Sequence, residues 1–195
     1  MNTEYEATFP NINKDEIRKK LKKSGAKLMR PEFLQKRVVF NLPKETKPGE
    51  WLRVRNEGDK ITMSYKFIPR GDKNNIEDQK EICLQVDDFD KAVKFLKILG
   101  CKKVSYQETK RELWLLDIIE ITIDEWPYLE PLLEVEGPTE QAVKKACDKL
   151  KLDYTKAKFC AIDQLYHEKY KIPIDQINNH TPIITFHNPN PFTKG

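Results

Sequence analysis

The sequence has little of what most directly announces a chemistry. It holds three histidines, none before His167, and four cysteines, Cys83, Cys101, Cys147 and Cys160, with no CxxC spacing. That pattern argues against a zinc site, and the cysteines read as reduced, mostly buried residues of a cytoplasmic protein. Glycine is scarce, 7 of 195 residues, and none of it forms a Gly-rich phosphate loop. No apolar run approaches the ~20 residues that span a bilayer. The opening MNTEYEATFP is acidic and strand-like, unlike a signal peptide, so no membrane partner is expected. The net charge is only +4, without a long Lys/Arg block, so no nucleic-acid partner is expected either. The densest basic run, Lys14–Lys23, reads as a solvated helix face. Ser64 lies in no nucleophile motif.

What the chain does have is charge, 34% of its residues, arranged by alternation. In Asp117–Gly137, DIIEITIDEWPYLEPLLEVEG, two strands flank a Pro-containing turn at Trp126–Pro131. Ile119, Ile121 and Ile123 alternate with Glu120, Thr122 and Asp124, then Leu133 and Val135 with Glu134 and Glu136. Successive strand side chains face opposite sides of a sheet, so each strand has one apolar and one acidic face. The same reading gives strands at Thr3–Phe9, Leu34–Leu42, Trp51–Arg55, Ile61–Ile68, Lys80–Val86 and Lys102–Leu116, with a Gly-Asp turn within Asn56–Lys60 and a polar loop at Pro69–Asn75. Helices are expected after three caps. Asn13, with Glu16 three residues on, opens one that buries Ile17 and Leu21 and stops at Gly25. Asp88 opens Phe89–Leu99, whose stripe is Phe89, Val93, Phe95, Leu96 and Leu99. Thr139 opens Ala142–Leu150, and a last helix is expected over Ala157–Tyr170. Lys171–Gly195, rich in Pro and Asn, reads as an irregular arm or tail. The domain division is therefore 1–170 and 171–195, with Tyr166–Phe192 a lid or the arm of a homodimer.

Mostly hairpin-length links between the strands argue for an antiparallel sheet, α+β in class. The polar faces collect Glu4, Glu6, Arg53, Arg55, Lys66, Glu81, Arg111, Glu120, Asp124, Glu134 and Glu136. On an open sheet those charges would simply face water. Amphipathic helices, however, need an apolar surface to cover. If they cover the apolar face, the charged one is inside a closed sheet, and about eight strands leave room for a small ligand. Crowded carboxylates raise one another's pKa, and an uncompensated buried ion costs several kcal/mol. Carboxylates without His or Cys call for Mg²⁺ or Mn²⁺, and the Arg/Lys set for a polyanion. A phosphate chain threaded into a tunnel satisfies both.

These residues resemble the CYTH superfamily, the triphosphate tunnel metalloenzymes, from Thr3 to about Leu150. The match rests on the ExE strand Glu4-Tyr5-Glu6, on Arg53-Val54-Arg55, Lys66 and Glu81, on Arg111 in TKRELW, and on the closing DEWPYLEPLLEVEG. The resemblance implies an eight-stranded antiparallel β-barrel, the triphosphate tunnel, with helices packed outside. It implies metal ligation by Glu4, Glu6, Glu134 and Glu136 with Glu120 and Asp124, and a triphosphate clamp of Arg53, Arg55, Lys66 and Arg111. Glu6, Lys66, Arg111 and Asp124 would carry catalysis. The implied reaction is either cyclisation of ATP to cyclic AMP and pyrophosphate or hydrolysis of a triphosphate, the substrate being a nucleoside triphosphate, thiamine triphosphate or inorganic tripolyphosphate. Two positions depart from the family pattern: Thr8 stands where a lysine closes the first motif, and Thr109-Lys110-Arg111 where K-x-R is common. The alternative is a module that binds nucleotide or polyphosphate without turning it over. Trp114, Trp126 and Tyr128 either shape a base-binding mouth or pack in core and turn.

Overall fold

The alternation closes on itself. The computed structural model describes residues 1–70 and 74–193. Its strands are β1 (Asn2–Thr3), β2 (Tyr5–Phe9), β3 (Lys27–Asn41), β4 (Glu50–Asn56), β5 (Ile61–Phe67), β6 (Lys80–Val86), β7 (Lys102–Leu116), β8 (Ile119–Glu125) and β9 (Leu132–Gly137). Their hydrogen-bonded order is β1-β6-β5-β4-β3-β7-β8-β9-β2. The two ends of that path are one bent strand: Asn2 and Thr3 pair with β6, and Tyr5–Phe9 pair with β9. Glu4 sits at the bend, where its N–H donates to the Gln79 carbonyl at 3.0 Å. With β1 and β2 counted as one strand the barrel is eight-stranded and nearly closed, and every pairing around it is antiparallel.

The helices α1 (Lys14–Lys23), α2 (Phe89–Ile98) and α3 (Glu140–Lys149) cover the apolar outer wall. The expected caps form: Asn13 accepts from the N–H groups of Asp15 and Glu16, Asp88 from Lys91, and Thr139 from Ala142. Ile17, Leu21, Val143, Ala146 and Cys147 pack on Ala7, Phe9, Ile121, Ile123, Leu133 and Val135, while Ala92 and Leu96 pack on Val38, Phe40 and Val54. Each such aliphatic burial contributes about 1.5–3 kcal/mol. With the outer face taken by helices, the alternate residues have only the inside to occupy.

Several expectations are corrected. The strand expected at Leu34–Leu42 begins at Lys27, and its pairing with β7 shifts register between Leu28 and Arg30 and again between Arg30 and Phe33, an irregular ladder that accommodates Pro31. The expected helix Ala157–Tyr170 starts only at Ile162 (α4, Ile162–Tyr170), because Lys158 exchanges two backbone hydrogen bonds with Thr8. The arm is more regular than expected. It forms α5 (Ile174–Asn179) and β10 (Ile183–Ile184), the latter parallel to β7 at Tyr106 and Gln107. Phe192 anchors it among Tyr128, Tyr166 and Tyr170 of the same chain. On α2, Phe95 and Leu99 are each 53% exposed, and Ile82 and Leu84 on β6 are 46% and 54% exposed, so no helix covers that strand. All four cysteines are free, with Cys83 exposed. Residues 71–73 of the expected Pro69–Asn75 loop, and 194–195 of the arm, lie outside the described residues.

A charged tunnel as the candidate active site

Register places the charged residues in rows across the inner wall. Glu6 stands opposite Glu136, and Glu136 opposite Glu120. Thr8 and Thr122 both stand opposite Glu134, and Arg111 stands opposite Asp124. On the other side of the barrel Lys66 stands between Trp51 and Glu81, and Arg55 stands opposite Arg37. The tunnel cavity has a volume of about 310 Å³. Its walls include Glu81 and, of the ten residues to which the resemblance gives a metal, clamp or catalytic role, nine: Glu4, Glu6, Arg53, Arg55, Lys66, Arg111, Glu120, Glu134 and Glu136. The tenth, Asp124, is 1% exposed behind Arg111. Glu120 is exposed at the rim.

Most of these charges neutralise one another. Lys66 Nζ lies 2.8 Å from Glu4 Oε2, Arg53 3.1 Å from Glu81, and Arg55 2.8 Å from Glu57. Arg111 Nε donates to Asp124 Oδ1 at 2.8 Å, while its Nη2 bonds the other Asp124 oxygen and reaches Glu134 Oε2 at 2.6 Å. Burial pushes Asp124 up to about 6 against the pull of Arg111. Burial lifts Glu4 to about 7, while the neighbouring Glu4, Lys66 and Arg53 hold Glu81 at about 2 despite burial. Burial also lowers Arg55 to about 10, reinforced by Arg53 and Arg111.

The neutralisation is incomplete. Among the described residues Glu6 and Glu136 have no cation within ion-pairing distance of their carboxylates. Burial first, then neighbouring carboxylates, raise both: Glu134 acts most strongly on Glu6, and Glu120 on Glu136. Two facing carboxylates in excess, with oxygen donors only, fit a hard divalent cation such as Mg²⁺ or Mn²⁺. Glu4 and Glu134 are the adjacent donors, each at present held by Lys66 or Arg111. No group of three or more His, Cys, Asp or Glu stands in metal-holding geometry among the described residues. A full ligand set therefore requires those ion pairs to open.

Sequence reasoning missed Arg37, which lines the cavity and is 5% exposed. Its signal was legible, since Gln35, Arg37 and Val39 alternate with the outward Val38 and Phe40. The two departures from the family pattern also find their places. Thr8 is buried, its backbone engaged by Lys158. Lys110 points out of the barrel, 3.9 Å from Glu125 and over the Phe186 ring. At one mouth α4 supplies Ile162 and Asp163 and the arm supplies Asn178, with Asp163 held by Arg70 at 2.6 Å and by Asn178 at 2.5 Å. Trp126 lines both the cavity and the cluster under the arm, Trp114 belongs to the core, and Tyr128 donates to the arm's Thr185 carbonyl at 2.8 Å. His167 and His180 make local contacts with Ile172 and Asp175.

Comparison with known proteins agrees with this architecture. The family model of the CYTH domain matches residues 2–165. A Methanocaldococcus jannaschii protein named "Putative adenylate cyclase MJ0240" is 31% identical over 126 residues, 64% of this chain and 70% of the relative. A Vibrio parahaemolyticus structure described as a putative adenylate cyclase superposes with TM-score 0.71 at 14% identity, covering 84% of this chain and 97% of that one. A Hippeastrum structure, described as a putative adenylyl cyclase that reveals a dominant triphosphatase activity, superposes with TM-score 0.53 at 10% identity, covering 87% and 98%. At these identities both superpositions speak for the fold.

Proposed function

The chain belongs to the CYTH domain family, and from that premise we propose that it is a divalent-metal-dependent enzyme acting on a triphosphate held in the charged tunnel. The observation that carries the reading is the balance of charge along one cavity: Lys66, Arg53 and Arg111 are paired with carboxylates, while Glu6 and Glu136 are left without a cation within ion-pairing distance among the described residues. The first reading of the reaction is cyclisation of ATP to cyclic AMP and pyrophosphate, in keeping with the name of the 31%-identical relative. The second is release of orthophosphate, which the description of the Hippeastrum structure favours.

In this reading the ion pairs within the tunnel are placeholders. An entering triphosphate draws Lys66 from Glu4, Arg53 from Glu81 and part of Arg111 from Glu134. Arginine forks match phosphate oxygens bidentately and Lys66 acts as a point charge. The released Glu4 and Glu134 join Glu6 and Glu136 as the carboxylates that would hold Mg²⁺ or Mn²⁺. Bound there, the metal supplies charge neutralisation and polarises phosphoryl oxygens. Arg111, fixed by Asp124, stays in place to meet charge developing on the phosphoryl group, and positioning with charge stabilisation accounts for most of such catalysis. Residues 1–170 form the tunnel domain in this reading, and 171–195 an arm that frames one mouth.

The test is phosphorus NMR of the protein with Mg²⁺ or Mn²⁺ and, separately, ATP, thiamine triphosphate and tripolyphosphate. Pyrophosphate with a cyclic monophosphate establishes the cyclase, and orthophosphate with the shortened phosphate chain establishes the hydrolase. If all three substrates stay intact, the enzyme reading fails and a binding module, consistent with Thr8, replaces it.

A further inference from the structure

Six cations line the tunnel: Arg37, Arg53, Arg55, Lys66, Arg70 and Arg111. Among the described residues five are within 4.0 Å of a carboxylate, and only Arg37 is not. Its Nη2 donates to Gln35 Oε1 at 3.1 Å and to Thr109 Oγ1, and Thr109 Oγ1 donates to the same Gln35 oxygen at 3.1 Å. Those two neutral partners fix the guanidinium plane without cancelling its charge. The Trp126 ring, 4.4 Å from the guanidinium carbon, covers one side of it. Among the described residues Nε is buried without a partner, and no hydrogen bond engages Nη1.

We propose that Arg37 is a phosphoryl-binding residue of the tunnel, aimed by Gln35 and Thr109 and serving across the β3/β7 pair in place of the lysine that the family resemblance sets at Thr109. This assignment rests on the triphosphate reading above. A purely structural role fits the surroundings poorly. Removing a guanidinium from water without an anion costs several kcal/mol, and a neutral side chain would fill the same space without that cost. Burial and the nearby Arg53, Arg55 and Arg111 add to the strain on its charge, a load that a bound polyanion removes. Lys110 cannot serve instead, because a one-residue step along a strand reverses the face. Gln35 stands opposite Thr109 in the β3/β7 register, so a group two residues along β3 reaches over the threonine that a lysine would occupy.

The experiment is calorimetric titration of tripolyphosphate and, separately, ATP, with Mg²⁺ present, into the wild type, Arg37→Gln, Arg37→Lys and the double variant Arg37→Gln/Thr109→Lys. Thermal unfolding accompanies each. Loss of a charge-assisted contact predicts binding weaker by at least about tenfold in Arg37→Gln. The double variant, which restores a cation from the opposite strand, recovers to within about threefold of wild type. A structural role would produce no such recovery, so a double variant as weak as Arg37→Gln overturns the assignment, as does Arg37→Gln binding at wild-type strength. If Arg37→Gln does not fold, Arg37→Lys decides. The assignment predicts binding weakened about three- to tenfold by loss of the fork, and wild-type affinity overturns it. Wild-type protein that binds neither tripolyphosphate nor ATP overturns the triphosphate reading and this assignment together. Tight wild-type binding with an indifferent Arg37→Gln overturns this assignment alone.

Discussion

Replacing Glu6 with glutamine should make the metal-free protein more stable at pH 8 and leave it unchanged at pH 5. Glu6 is half-buried on the tunnel wall with no cation partner among the described residues, facing Glu136 and close to Glu134 and Glu4. Burial, then those carboxylates, raise its pKa well above 4.5. A carboxyl with a raised folded pKa keeps its proton in the folded state where the unfolded chain has lost it. Folding then takes up protons, so stability falls as pH climbs from about 4.5 through the folded value. Glu4, lifted from 4.5 to about 7, contributes on the order of 3 kcal/mol to that loss by pH 8. Glu81 and Glu134 are shifted downward, so their contribution is lost only as pH falls below about 4.5, and they do not offset the trend between pH 5 and 8. Removing the Glu6 charge should recover about 2 kcal/mol at pH 8, a modest share of the several kcal/mol that a buried unpaired ion costs. For a chain this long that is a rise in Tm of about 4–8 °C. Differential scanning calorimetry at pH 5 and pH 8 in chelator-treated buffer reads it directly. The same variant should lose any rise in Tm that Mg²⁺ gives the wild type. A Tm at pH 8 equal to or below wild type, or a wild-type Tm that climbs from pH 5 to pH 8, would refute the reasoning.

Two further expectations concern the groups that hold the tunnel and its arm. Arg111→Met strips Asp124 and Glu134 of their shared guanidinium. It should cost about 3–5 kcal/mol at pH 8 by denaturant unfolding and abolish tripolyphosphate binding. Adding Asp124→Asn should return part of the stability and none of the binding, and full stability in the single variant would show that the pairing contributes little. Tyr166 is 0% exposed and donates to the Pro127 carbonyl at 2.7 Å. Tyr166→Phe should cost about 1–3 kcal/mol, and Tyr166→Ala about 3–5 kcal/mol. Unchanged unfolding midpoints in both would mean that the arm's cluster does not support the barrel.

Period-two alternation is a local property, and it was enough to delimit β7 as Lys102–Leu116, to find β6, β8 and β9, and to sort Glu134 and Glu136 from Leu133 and Val135. The caps at Asn13, Asp88 and Thr139 were likewise local and legible. Together with the ExE and DEWPYLEPLLEVEG motifs, they carried the reading as far as a barrel with its charges inside. What the sequence could not determine is everything that depends on which residues meet across the barrel. Alternation says that Glu4 and Lys66 share a face type, but closure of β1/β2 between β6 and β9 brings them to 2.8 Å. The pairing of Arg111 with Asp124 and Glu134, and the absence of a carboxylate within 4.0 Å of Arg37 among the described residues, are likewise sums over strands distant in the chain. The arm was misread for the same reason. Its regularity comes from pairing with β7 and from Phe192 packing among three tyrosines, neither of which leaves a period in the sequence. Local pattern determined the faces; tertiary contact alone decided which charges remain uncompensated, because Coulombic balance and desolvation depend on distance in space.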